Sequence, residues 1–193
     1  MSDAQARQAL PATTKRLILR RWTEFDREPF AALNADPNVM QHFPSTLSRA
    51  DSDAMIDRIE AHFDTHGWGL WAVETIANAT FIGFVGLWPP SFTAHFTPAV
   101  EIGWRLAHHA WGNGFASEAA ESVLHFGFDT LGLNEIVSFT STENIASQRV
   151  MQRIGMHRDS DDDFDHPGVS PGHRLARHVL YRLKAAERGI ATL

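Results

Sequence analysis

The order of apolar patterns along the chain predicts an α/β fold of the α+β kind, one domain in which a mixed sheet carries helices on both faces. Three observations lead there. Short runs of aromatic and β-branched residues alternate with stretches of helical periodicity in the order β-α-α-β-β-β-α-β-α-β-β, about seven strands in all. A loop containing Gly112 and Gly114 joins the fourth strand directly to a long amphipathic helix. A second, shorter helix headed by Asn144 follows the fifth strand.

Residues 16–21 hold Leu17, Ile18 and Leu19 between charges and form the first strand. Thr23 caps the next helix, with Asp26 in reach of its first turn. Phe30, Ala31 and Leu33 give that helix its inward side, and Pro37 interrupts it. After a loop at His42, Phe43 and Pro44, Ser48 starts a second helix. It carries Met55, Ile56, Ile59 and Phe63 at helical spacing and ends at Gly67. Residues 68–74 and 81–88 are the second and third strands, with Asn78 and Ala79 in the turn between them. Pro89 and Pro90 open an irregular loop that runs to Pro98, and residues 99–106 form the fourth strand.

The helix beyond the glycines has apolar residues at 116, 119, 120, 123, 124, 127, 128 and 131, and Gly132 stops it. Residues 135–140 are the fifth strand, and residues 144–154 the shorter helix, closed by Gly155. A sixth strand begins at Met156, an acidic loop follows, and the last strand lies around residues 178–183. Residues 1–14 read as a loose leader, 15–184 as the folded domain and 185–193 as a tail.

Composition removes several functions. The chain of 193 residues has 44% hydrophobic and 21% charged residues, ordinary for a globular protein. No apolar run approaches ~18 residues, and the leader lacks a signal core, so a cytoplasmic location without membrane contact is expected. The absence of cysteine excludes disulfides, thiolate metal sites and a cysteinyl acyl-enzyme. A net charge of −6 argues against nucleic acid and favours cationic partners, amines among them. His157, His166, His173 and His178 lack metal-ligand spacing, and the loop at 159–166, DSDDDFDH, lacks the glycine turn and terminal glutamate of a calcium loop. No metal is expected.

Residues 101–119, EIGWRLAHHAWGNGFASEA, are the most informative stretch. The first amides of a helix have no internal partner and carry the positive end of its dipole. Gly112 and Gly114 let an anion approach the main chain, and no lysine is present to help. A nucleotide-hydrolysing loop needs Lys and Ser or Thr after its last glycine, where this chain has Phe115 and Ala116. A dinucleotide loop needs a third glycine or alanine where Ser117 stands, and an acid at the end of the next strand, whereas Glu135 begins one. What remains is a backbone cradle for the pyrophosphate of coenzyme A, or an ordinary strand-to-helix turn.

The runs KRLILRRW (15–22), WGNGFASEA (111–119) and STENIASQRVMQRIGM (141–156), in this order of elements, resemble the GNAT superfamily of acyl-CoA-dependent N-acyltransferases. The likeness covers residues 15–183 and looks closest to the branch containing ribosomal-protein N-terminal acetyltransferases, the Rim type. Trp111 departs from the usual polar residue that opens the cradle. The resemblance implies a mostly antiparallel sheet splayed between the fourth and fifth strands, with acetyl-CoA as cosubstrate. The pantetheine arm would pair with the backbone of Ile102, Gly103, Trp104, Arg105 and Leu106. Trp111, Gly112, Asn113, Gly114, Phe115 and Ala116 would hold the pyrophosphate. Asn144 and Ser147 would meet the pantetheine or the reacting centre, and Arg149, with Arg153, the 3′-phosphate end.

Acetyl transfer to an amine needs a neutral nucleophile, an oxyanion donor and a proton for the thiolate. Holding the neutral amine at pH 7 costs about 1.4 kcal/mol for an α-amine and about 4.6 kcal/mol for a lysine. Glu101, a carboxylate in an apolar strand, is the candidate base, with His108 and His109 as proton relays. A main-chain N–H near Trp104 is the candidate oxyanion donor. Many relatives carry a tyrosine acid where this chain has Met151. The only tyrosine, Tyr181, falls in the last strand, so Ser141, Ser147 or water is left to protonate the thiol. Trp22, His42, Phe43, Trp88 and Phe96 are the candidate acceptor walls. The expected reaction is direct attack in a ternary complex, by a monomer or homodimer, on a protein N-terminal α-amine or a small amine such as an antibiotic or polyamine. A non-catalytic acyl-CoA-binding module is the alternative of another class.

Overall fold

The computed structural model describes Pro11 and residues 13–188. Most of the expected leader and the end of the expected tail, 189–193, lie outside the described residues. Within the leader, Thr14 is tied down, its hydroxyl donating to Glu118 at 2.6 Å.

The elements are β1 (Leu17–Arg20), α1 (Arg27–Ala35), a one-turn α2 (Pro37–Met40), α3 (Arg49–His66), β2 (Leu70–Thr75), β3 (Thr80–Trp88), β4 (Glu101–Leu106), α4 (Phe115–His125), β5 (Glu135–Ser141), α5 (Ile145–Arg153), β6 (His157–Arg158), β7 (Phe164–Asp165) and β8 (Arg177–Lys184). The sheet has eight strands in the order β1-β2-β3-β4-β5-β8-β6, with β7 also on β8. The additional strand is the two-residue β7, inside the acidic loop that read as irregular. All pairings are antiparallel except β4 with β5, which is parallel and has a single registered pair, Glu101 with Val137.

Local chemistry sets the boundaries. Thr23 and Asp26 form a capping box around a short 3-10 turn that leads into α1. Pro37 starts α2 rather than merely ending α1, because its missing N–H costs nothing at a first turn. Ser48 accepts from the Asp51 amide at the head of α3, and Gly67 closes that helix at φ 77°. Past His125 the expected periodicity of α4 gives way to a π turn, Phe126–Thr130, with Leu131 N bonded to Phe126 O at 3.1 Å. Gly127 lies where a Cβ would stand 2.7 Å from Ile136 Cδ1, so this widened turn sits directly on the sheet.

Strand alternation sorts β4 into two faces. Ile102, Trp104 and Leu106 face α4 and α5, with Trp104 Nε1 donating to Ser147 Oγ at 3.0 Å. Glu101, Gly103 and Arg105 point to the opposite face, where Arg105 Nη1 donates to Asn34 Oδ1 of α1 at 2.5 Å. One large core joins both faces of β1–β4 to the helices, and a smaller cluster of Phe96, Val137, Phe164 and Leu180 covers the far side of β5 and β8.

Candidate active site

The split between β4 and β5 follows from where their hydrogen bonds stop. Val137 N donates to Val100 O at 2.9 Å, and Ser138 Oγ donates to Ile102 O at 2.8 Å. In the other direction Ala107 N is bonded to Ile82 O of β3, so the even-numbered backbone groups of β4 face β5. Beyond Ile102 the strands part. The Trp104 N–H and C=O therefore look into the split, while Leu106 O is taken by Trp111 Nε1 at 2.8 Å.

A cavity of about 600 Å³ occupies this split and runs through to the α1 side of the sheet. One end is the turn between β4 and α4. Gly112 and Gly114 both have positive φ, 76° and 77°, a conformation glycine adopts without steric cost. No atom lies within 4 Å of the position a Gly112 Cβ would take. The first main-chain bond of α4 is Glu118 N to Gly114 O, so the amides of 115–117 have no helical acceptor. Arg16 braces the turn from β1 by donating to Asn113 O at 3.0 Å and pairing with Glu118 at 2.6 Å, its guanidinium 4.6 Å over the Phe115 ring. Arg149 and Arg153 of α5 line the same end. Arg153 reaches Ser117 Oγ at 3.3 Å, and neither forms a carboxylate ion pair among the described residues. Free amides, open space over a glycine and two arginines without a carboxylate partner are the requirements of a diphosphate with a further phosphate nearby.

Glu101 sits where the strands part, at the mouth of the second half of the cavity. Its carboxyl has no hydrogen-bond partner among the described residues. Oε1 is 3.7 Å from where a Gly103 Cβ would be, so the missing side chain of Gly103 leaves the carboxyl open to the cavity. Protein surrounds the group on most sides, and burial pushes its pKa up to about 8 from an ordinary value near 4.5. The folded state thus holds this proton more tightly than the unfolded chain. The stability this confers is complete below about pH 4 and is lost as pH rises toward 8. Without ligand, Glu101→Gln should therefore melt above wild type by a margin that is larger at pH 9 than at pH 5. An equal margin at both values would remove the burial argument.

Asn144 and Ser147 both line the cavity, but the structure gives their side chains definite local work. Asn144 caps α5, its Oδ1 accepting from Ser147 N at 3.1 Å and its Nδ2 donating to Thr140 Oγ1 at 3.0 Å. Its amide is committed and acts on the site by fixing the head of α5. Ser147 Oγ accepts from Trp104, which leaves its own proton to donate.

Several sequence-derived assignments do not reach the cavity. Ser141 ends β5 fully buried with its Oγ unpartnered, on the opposite alternation from Ser138 and Thr140. Trp22 is core, packed on Phe30 and donating to Leu70 O at 2.7 Å. Trp88 pairs across from Glu101, but its ring stacks on His62 of α3. Phe96 belongs to the smaller hydrophobic cluster. The Ile102 side chain is buried core, and Asn113 points its amide back to Ala110 O and Trp111 O. Arg105, expected to contribute backbone to the coenzyme, does line the cavity, but its side chain lies on the α1 side, bonded to Asn34. His108 and His109 are exposed in a 3-10 turn and do not line the cavity. Tyr181 is core and accepts from Gln152 Nε2 at 3.2 Å.

His42 and Phe43 do line the acceptor half, joined by His166 and His178, which sequence reasoning had set aside. Burial, chiefly, holds all three histidines below their ordinary pKa, so they are neutral at pH 7.

A splayed sheet with free amides at one end and an unpartnered carboxyl at the parting point suits an acyl-coenzyme-A-dependent transferase. Residues 16–157 match the family model described as an acetyltransferase (GNAT) domain. The chain is 30% identical over 148 residues to an uncharacterized N-acetyltransferase, YnaD, of Bacillus subtilis, covering 76% of this chain and 82% of that one. Among solved structures, an acetyltransferase from Agrobacterium tumefaciens superimposes with TM-score 0.72 at 25% identity over 91% of this chain and 95% of its own. RimL, a ribosomal L7/L12 α-N-protein acetyltransferase in complex with coenzyme A, gives 0.72 at 13% identity over 91% and 98%, a likeness of fold alone. This chain belongs to the GNAT acetyltransferase family and is an acyltransferase.

Proposed function

We propose that the protein transfers an acetyl group from acetyl-CoA to the primary amine of a small molecule by direct attack in a ternary complex. The unpartnered carboxyl of Glu101, beside Gly103 at the point where β4 and β5 separate, is the observation that carries this. Residues 112–116 hold the diphosphate on their amides, with Arg149 and Arg153 near the remaining phosphate. The backbone of Gly103 and Trp104 lies along the pantetheine. Bound acetyl-CoA supplies the thioester. Glu101, with a pKa near that of an amine made partly neutral by the site, takes the ammonium proton in a nearly even exchange. In this reading the Trp104 N–H donates to the developing oxyanion, and the Ser147 hydroxyl relays to the departing sulfur the proton that the attacking nitrogen loses.

Two loops, residues 42–44 and the segment carrying His166, Gly168 and Val169, together line the acceptor end. That enclosure favours a small amine over the N-terminus of a folded protein, and with it weakens a Rim-type assignment. Thiol release from acetyl-CoA over a panel of small amines and N-terminal peptides tests the proposal, since turnover confined to peptides contradicts it. A thiol with pKa ~8.5 departs without much help. Ser147→Ala should therefore lower kcat by less than about 10-fold, measured as thiol release, while Trp104→Phe leaves the serine in place and costs less still. A loss of about 10³-fold or more in Ser147→Ala would assign the serine a larger share than this chemistry allows.

A further inference from the structure

We infer that the acceptor amine also carries a carboxylate, which Arg105 receives at the end of the acceptor trough remote from Glu101. The inference rests on the reading of Glu101 as the base that faces the amine. Glu101, Gly103 and Arg105 share one face of β4, and all three line the cavity. Across the register Gly103 meets Gly86, so the floor between the two charged side chains is bare backbone. The Cα atoms of Glu101 and Arg105 are about 13 Å apart at about 3.3 Å per residue. The Glu101 carboxyl reaches over Gly103, its Oε1 3.7 Å from where that residue's Cβ would be, and the stretch from there to Arg105 leaves an interval for a compact molecule with an amine at one end and an anion at the other.

The guanidinium is built for a ligand rather than for an internal partner. Arg105 forms no ion pair with a carboxylate among the described residues, although most arginines of this chain do. Its Nη1 is fixed on Asn34 Oδ1 at 2.5 Å, and the buried Asn34 is fixed in turn by Nδ2 donating to Ser52 Oγ of α3 at 2.9 Å. Phe43 lies 4.2 Å over the guanidinium and Phe84 5.5 Å from it, which sets its plane. The Nε–Nη2 edge is left over. Nε is buried with no acceptor, a donor whose isolation costs about 1–3 kcal/mol. Two parallel N–H groups on one edge match a carboxylate. Burial also lowers the guanidinium pKa to about 10, which still leaves it charged at pH 7, while the histidines that line this half of the cavity are neutral there.

The test compares free acids with their amides. Glycine, β-alanine, 4-aminobutyrate and the L-α-amino acids, each with its carboxamide, are assayed for binding to the coenzyme-A-saturated full chain by saturation-transfer NMR, and for thiol release with acetyl-CoA. At least one free acid should bind and exceed its amide by about 100-fold in kcat/KM, the size expected when a buried charge loses its partner. Arg105→Lys keeps the charge and loses the fork, so it should raise the KM of that acid at least about 10-fold with little change in kcat and narrow the acid-to-amide ratio. Equal binding of acid and amide, absence of binding by every free acid, or an equal effect of Arg105→Lys on both members of a pair overturns the inference. Failure of the underlying reading shows elsewhere. Coenzyme A would not raise the melting temperature, or Glu101→Gln would release thiol as fast as wild type.

Discussion

Glu101→Gln should lower kcat for acetyl transfer by about 10²–10⁴-fold while leaving the affinity for coenzyme A unchanged, the range set by general-base catalysis. Among the described residues the carboxyl is the only one on the cavity wall, it is uncommitted, and it lies on the face of β4 away from the cradle amides. Glutamine keeps the shape and removes the basic oxygen. The pH profile gives the more discriminating measurement. Burial holds the proton up to about pH 8, so the base is protonated at neutral pH and kcat/KM should rise with pH until a limb near 8. In Glu101→Gln that limb should vanish, leaving only the titration of the amine itself. A wild-type limb near the ordinary carboxylate range, or a limb near 8 that survives the substitution, would show that another group takes the proton.

The features legible in the sequence were those written in local chemistry. Ser48 and Gly67 bound α3 because a hydroxyl and a left-handed residue act within one turn. The two glycines and free amides of the cradle are legible for the same reason. Side-chain facing was harder to read. Trp22, Trp88 and Phe96 have the same aromatic character as Phe43, and only packing decides that three of them fill the protein while the fourth covers Arg105. Ser141 shares its alternation with Phe139, which lines the cavity, but it ends β5 fully buried, a depth that strand periodicity does not reveal. Arg105 could have been found. Once Glu101 is placed facing the acceptor, the period of two puts residue 105 on the same wall. Its partner Asn34 could not, since the two stand 71 positions apart and are joined only by tertiary structure.

Gly114→Glu should abolish coenzyme binding. For the wild type, coenzyme at 100 times its Kd stabilises the fold by about 2.7 kcal/mol. At about 2–4 °C per kcal/mol for a chain of this size, the melting temperature should rise by about 5–11 °C. Two effects act at this position and can be separated. Gly114 has φ 77°, so any Cβ there costs about 1–2 kcal/mol, and Gly114→Ala should lower the melting temperature of the free protein by a few degrees. Ala adds no charge, and Arg16 Nη2, 3.6 Å from the new Cβ, is the nearest heavy atom, so the cradle amides stay open and most of the coenzyme-induced shift should remain. Glutamate adds the same strain and a carboxylate at the positive end of α4, where it competes with the diphosphate for the amides and repels it. Arg16 cannot cancel that charge, because it is already paired with Glu118 at 2.6 Å. The coenzyme-induced shift should fall to zero in Gly114→Glu while the free variant still melts cooperatively near Gly114→Ala. If instead the glutamate variant is stabilised as much as wild type, the diphosphate is held somewhere other than the turn that opens α4.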